Sequence, residues 1–172
     1  MRLKKIVSGG QTGADRAALD TAIELGLEHG GYCPAGRRAE DGRISDRYQL
    51  IETAGADYAE RTERNVLESD GTLLVTRGRP AGGSALTAAL AAKHARPFLH
   101  IDLGQARDLA SCADTIREWL DAETIAVLNV AGPRASGCPD IAQDVRALLL
   151  GALASLQDDR GRVAASDMLP EL

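Results

Sequence analysis

Five short apolar runs punctuate the chain, at residues 3–7, 31–33, 72–76, 97–101 and 125–130. Within them IVS, LLV and VLNV are continuous rather than alternating, the pattern of strands covered on both faces; the run at 31–33 is the weakest. Between the runs the spacing turns helical, over 15–25, 60–68, 84–94, 106–120 and 141–156. The first helix sets Ala18, Leu19, Ala22, Ile23 and Leu25 near one face, and the last does the same with Val145, Leu148, Leu149 and Leu153. Strand alternating with helix predicts an α/β fold, an open parallel sheet of about five strands with helices on both faces and right-handed connections. Two stretches break the rhythm. Residues 34–59 are polar and long for a connection, as functional lids or disordered segments are. Residues 157–172 carry Asp158, Asp159, Arg160 and Arg162 and read as a polar tail beyond a single domain of residues 1–156.

Composition narrows the class. The 172 residues include five aromatics, so the core must be aliphatic and small, with helices lying close to the sheet. A net charge of −5 and few rings argue against a nucleic-acid partner, since such grooves are basic and set with stacking aromatics. No run is long enough for a membrane span and no leader is evident, so the expectation is a cytoplasmic protein without a membrane partner. Cys33, Cys112 and Cys138 show no paired spacing, and His29, His94 and His100 show no ligand spacing, so neither disulfide nor structural metal is expected.

Chemistry gathers in three glycine loops, each placed between a strand and a helix. The first holds Gly9, Gly10, Gln11, Thr12, Gly13, Asp15 and Arg16; the second holds Arg77, Gly78, Arg79, Gly82, Gly83 and Ser84; the third runs through Gly132, Arg134, Ser136 and Gly137. Glycines admit close backbone approach, and the free N–H groups opening a helix attract anions. The spacing GGxxG is neither a Walker A loop nor the dinucleotide fingerprint. With a strand order of 2-1-3-4-5 the first and second loops flank one crevice, where open parallel sheets bind ligands; the third loop's nearness depends on that order. Bland roles stand beside these. Asp15 and Ser84 also sit where helix caps belong, and Arg16, Arg77 and Arg79 read in isolation as solvated charges. Arg61, Thr62, Arg64 and Asn65 form a polar face on the short helix before the third strand. Tyr32, Tyr48 and Tyr58 cluster around the 34–59 segment, where one is placed to stack on a ring.

The strings SGGQTGADRAALDTAIELG, HGGYCPAGRRAEDGRI, YAERTERNVLESDGTLLVTRG, GGSALTAALAAKHARP and LNVAGPRAS, over about residues 4–155, resemble the bacterial proteins named putative molybdenum carriers. These are circularly permuted YpsA-like members of the superfamily that joins the DprA/Smf proteins to the LOG enzymes. The resemblance implies a Rossmann-like fold and a pocket for a nucleotide-like or pterin ligand bearing phosphate, with molybdenum cofactor (molybdopterin) or a nucleotide as its occupant. It supports Gly9, Gly10, Thr12, Gly13, Asp15 and Arg16 with Gly82, Gly83 and Ser84, and Arg61, Thr62, Arg64 and Asn65 fit the family's R-T-x-R-N pattern. LOG-like enzymes carry a glutamate six positions after their second glycine; here that position is Ala89, and a methyl offers no charge to a developing sugar cation. A carrier that binds a small phosphorylated ligand is therefore the leading reading. The alternatives are a nucleotide N-glycosidic hydrolase that draws a carboxylate from Glu40, Asp41 or Glu52, and a ligand sensor. Superfamily relatives assemble through helices, so a dimer or tetramer is expected, with 141–156 offering an apolar face. On this reading Gly10→Val fills the anion site and spares the fold.

Overall fold

A computed structural model describes residues 2–106 and 108–154, so the 157–172 tail lies outside the described residues. The central sheet holds β1 (Lys5–Val7), β2 (Glu28–Gly30), β7 (Gly71–Thr76), β8 (Phe98–Asp102) and β9 (Val127–Ala131), all parallel, in the order β2-β1-β9-β7-β8. Among the described residues five helices cover it: α1 (Ala14–Glu24), α2 (Tyr58–Leu67), α3 (Gly82–Lys93), α4 (Leu109–Ala122) and α5 (Ile141–Ala152). α5 packs between α1 and α4 on one face, while α2 and α3 pack together on the other. The fold is the expected Rossmann-like α/β sheet.

Two expectations about the sheet are corrected. Strand order is not 2-1-3-4-5: the last strand, β9, inserts between β1 and β7, pairing Val7 with Asn129 on one side and Thr72 with Asn129 on the other. Buried strands of one composition satisfy any parallel neighbour, so their order is invisible in the apolar pattern. The second sheet strand is also displaced. Glu28–Gly30 pairs with β1, whereas β3 (Tyr32–Cys33) turns away at Gly31 and pairs with β6 (Ile51–Glu52) outside the main sheet. Gly31 permits the turn, because its φ is +122° and a Cβ there would lie 2.3 Å from the Ser8 carbonyl oxygen.

The main core is aliphatic, as five rings require. Ile6, Leu73, Leu128 and Val130 from the sheet meet Ala18, Ala22, Ile116, Leu120, Val145, Leu148 and Leu149 from α1, α4 and α5. Alanines on α1 let it lie close against β1 and α5. The apolar face of α5 is thereby spent inside its own domain rather than left for a partner.

Residues 34–52 form a packed cap. A 3₁₀ turn (Ala35–Arg37) leads into the β4–β5 hairpin (Arg38–Ala39, Gly42–Arg43), and Leu19, Cys33, Ile44, Tyr48 and Leu50 make a small second core beneath. At its centre the buried guanidinium of Arg37 donates to the carbonyls of Ile44, Ser45, Tyr48 and Leu50 at 2.8–3.2 Å. One side chain thus satisfies the carbonyls of a segment that has little strand pairing of its own.

Candidate functional site

Because α5 leaves β9 on one face and α3 leaves β7 on the other, a crevice opens between these two strands at the C-terminal edge of the sheet. It is a cleft of about 870 Å³, within the range of small-ligand sites. The first loop contributes Gly9, Gln11 and Asp15 to its lining, α2 contributes Arg61, Thr62 and Asn65, and the second loop with the start of α3 contributes Arg77, Gly82, Gly83 and Ser84. These ten, all expected from sequence, are therefore brought together, while five others are not.

The other five lie outside the lining. Gly10 is packed under the cap, where a Cβ would sit 2.6 Å from Leu50 Cδ1. Gly13 opens α1 with φ +78° against the backbone of Pro133 and Arg134. Thr12 hydrogen-bonds Glu40, and its oxygen also accepts from Ala135 N at 3.2 Å. Arg16 pairs with Asp41 and donates to the Gly10 carbonyl at 3.2 Å. Gly78 donates from N to Asp102 Oδ1 at 2.6 Å and sits beside the cleft, its carbonyl accepting from Thr76 Oγ1. Thr12, Gly13 and Arg16 thus clamp the cap and the third loop onto the first loop.

The third loop supplies what sequence reasoning underweighted. Gly132, Arg134 and Ser136 line the cleft because β9 is central. A Cβ on Gly132 would lie 2.5 Å from the Val75 carbonyl oxygen and 2.6 Å from Ala14 Cβ, so only glycine lets this loop thread between β7 and α1. The signal was present, since this loop repeats the strand, glycine, helix design of the other two.

Glycine loops differ in what their N–H groups do. At α1, Gln11 N donates to Asp15 Oδ2 and Ala14 N donates to the Pro133 carbonyl, so part of this helix start is satisfied internally. At α3 no side chain caps the helix, the first intrahelical donors are Ser84 and Ala85, and a Cβ on Gly82 or Gly83 would meet open space. The positive end of α3 therefore faces the cleft.

Charge in the lining is Arg61, Arg77, Arg79 and Arg134 against Asp15 and Asp57. Asp57 caps α2 through Ala59 N. Asp15 holds Arg61 at 3.0 Å. Arg77 is anchored by Asp144 of α5 at 2.7 Å, which raises its pKa further and leaves the side chain half exposed to the cleft. Guanidinium carbons of Arg134 and Arg61 lie 4.9 and 5.7 Å from the Tyr58 ring centroid. Of the three tyrosines only Tyr58 reaches the cleft. Tyr48 is buried in the cap with its hydroxyl on Asp20, and Tyr32 bonds Glu68.

Glu40, Asp41 and Glu52, the carboxylates singled out from the 34–59 segment, serve structure. Glu40 accepts from Ser136 Oγ and Ser136 N as well as Thr12, which together hold its pKa below the usual carboxylate value. Asp41 pairs with Arg16, and Glu52 accepts from Gly36 N at 2.5 Å. None of them lines the cleft, nor does Ala89. Among the described residues no group of three or more His, Cys, Asp or Glu is placed to hold a metal, and no helix is long and apolar enough to cross a membrane.

The model of the circularly permutated YpsA SLOG family matches residues 6–153. A solved structure from Syntrophus aciditrophicus SB, named Putative molybdenum carrier protein, is 49% identical with a TM-score of 0.87, over 88% of this chain and 96% of that one. No curated protein matches. With the family model spanning nearly the whole described fold, this chain belongs to the circularly permuted YpsA SLOG family.

Proposed function

We propose that this protein is a carrier whose cleft holds a small phosphorylated heterocycle of the nucleotide or pterin class, molybdenum cofactor being the occupant suggested by the name of its structural relative. One observation carries the reading: the uncapped start of α3 at Gly82–Gly83 opens into a cleft flanked by Arg77, Arg79 and Arg134. Backbone N–H groups at a helix start and forked guanidinium donors are the two devices proteins use for phosphate oxygens. The ring end of the ligand then lies toward Tyr58, Arg61 and Asp15. This moves the anion from the first loop to the second, because the N–H groups of Gln11 and Ala14 are already engaged.

Binding is favoured over hydrolysis because Glu40, Asp41 and Glu52 are bound elsewhere, Asp15 is paired with Arg61, Asp57 caps α2, and α3 presents Leu86 and Thr87 to the cleft rather than a carboxylate. The residues fit a phosphorylated pterin as cargo: the cations and free N–H groups suit its phosphate and the open cleft suits a ring. Self-association into dimers or tetramers belongs to the same reading, and light scattering on the purified chain tests it.

Mass spectrometry of small molecules released from gently purified protein tests the carrier role. Recovery of a phosphorylated pterin or nucleotide supports it; timed release of free base and ribose phosphate from added nucleotides overturns it. Arg77→Ala is expected to weaken a phosphorylated ligand about tenfold and its dephosphorylated form hardly at all, the loss of one charged hydrogen bond partly screened at this half-exposed site. Equal losses would remove Arg77 from phosphate binding.

A further inference from the structure

A carboxylate in the lining of a cleft built for an anion needs a reason. Asp15 is 5% exposed and lines that cleft. Its Oδ2 accepts from Arg61 at 3.0 Å and from Gln11 N at 3.4 Å, while Oδ1 accepts no hydrogen bond from the described residues. Nothing packs Gly9 away from this pair: a Cβ there would lie 1.1 Å from Arg61 Nη1 and 2.9 Å from Asp15 Oδ2, so the absence of a side chain at Gly9 is what brings the two groups to the cleft. Tyr58, one turn before Arg61 on α2, sets its ring centroid 5.7 Å from the Arg61 guanidinium carbon.

An ionised carboxylate only accepts hydrogen bonds. Against an anionic ligand it costs binding energy unless the ligand turns donors toward it, and a buried acceptor left unpaired rejects ligands that lack the donor far more sharply than an apolar pocket does. The first loop follows β1 and the second follows β7, with β9 between them, so a ligand whose phosphate end is held at Arg77, Arg79 and Gly82 has its far end toward Asp15. The guanidinium planes of Arg61 and Arg134 offer that end a stacking surface.

Resting on the phosphorylated-ligand reading above, we infer that the cleft selects ligands whose far end presents two adjacent hydrogen-bond donors, and that Asp15 reads them. Two groups have this chemistry: the N–H and NH₂ edge of a guanine- or pterin-type ring, and the vicinal hydroxyls of a sugar. Adenine has neither on its ring edge, because its ring nitrogen would turn a lone pair toward the carboxylate.

Isothermal titration of the intact wild-type protein with GMP, IMP, AMP, 2′,3′-dideoxy-GMP, guanosine and inorganic phosphate tests this. A ring edge at Asp15 gives GMP tighter than AMP by tenfold or more, IMP between them, and dideoxy-GMP equal to GMP. A sugar diol at Asp15 gives GMP and AMP alike, with dideoxy-GMP weaker by tenfold or more. Asp15→Asn, with its fold checked by circular dichroism, is expected to erase either preference while leaving inorganic phosphate bound as well or better, since a negative charge has gone. Equal affinity for all four nucleotides overturns the inference and leaves the phosphate reading intact. Guanosine binding as tightly as GMP overturns the phosphate reading itself.

Discussion

Arg37 shows how much one residue can decide without announcing itself. It sits in the string GRR beside Arg38, yet Arg37 is 6% exposed and Arg38 is on the surface. Its backbone adopts φ +51°, uncommon for a side chain of this size. That conformation is stabilised by the four carbonyl acceptors its guanidinium reaches. Removing a charged donor that satisfies several buried carbonyls costs more than one ordinary hydrogen bond, so Arg37→Ala is expected to destabilise the protein by about 2–4 kcal/mol. Arg37→Lys is expected to recover little, because a point charge cannot fork to four oxygens. Urea unfolding followed by circular dichroism measures both, and an Arg37→Ala midpoint equal to wild type would show that the cap is held by its apolar core alone.

Elements were more legible than their arrangement. Continuous apolar runs located β1, β7, β8 and β9, and helical spacing located all five helices to within a few residues at their described ends. Legibility failed where neighbours rather than intrinsic preference decide. β9 takes the central place because its partners on both sides are equally apolar, and β2 begins at Glu28 because Gly31 diverts the chain. The polar cap was hardest to read: its order comes from Arg37 and a five-residue core, patterns with no period. For the site, three loops are visible as glycine-rich helix starts, but which of them keeps its N–H groups free depends on contacts made by Asp15 and Pro133. Gly10 illustrates the consequence. As part of an anion loop, its replacement by valine was expected to block ligand and spare the fold. Packed at φ +75° beneath Leu50 and Ile44, Gly10→Val is instead expected to lift the cap and destabilise the protein by at least 2 kcal/mol or so, through overpacking combined with a positive φ. A thermal melt of Gly10→Val within a degree of wild type would contradict this.

At the scale of the whole molecule, pH and chain connectivity set the limits of the fold. Glu40, Asp41 and Asp102 are held below their ordinary carboxylate values by hydrogen bonds from Ser136 and Thr12, from Arg16, and from the N–H groups of Gly78 and Gly104. Lowered values stabilise the fold above the unfolded pKa of about 4, and that contribution disappears as pH falls further. Tyr48 works in the opposite direction: burial, then its bond to Asp20, pushes its pKa up to about 12, so its contribution is full below the unfolded value of about 10 and is lost as pH rises toward 12. Urea stability is therefore expected to be flat between these limits and to fall outside them. Replacing Tyr48 with Phe is expected to remove the part of the alkaline decline that belongs to this residue, and an unchanged alkaline limb would assign the decline to other groups.

Connectivity makes a stronger demand, because the strand that closes the sheet comes latest in the chain of its five strands. β1 with β2 and β7 with β8 are separate parallel pairs, and β9 is the strand that hydrogen-bonds to both. Its successor α5 then fills the space between α1 and α4. Leu128, Val130, Ile141, Val145, Leu148 and Leu149 are all fully buried. At about 1.5–3 kcal/mol for each buried side chain, their loss matches or exceeds the roughly 5–15 kcal/mol that holds a domain of this size together. A chain ending at Thr124 keeps β1, β2, β7 and β8, the first two ligand loops and the whole cap, yet is expected to lack any cooperative transition in urea. Adding a separate peptide of residues 125–154 is expected to restore one, since the missing elements are contiguous. A sigmoidal transition in the shorter chain alone would mean that β1 and β7 can pair directly, in the order first expected from sequence.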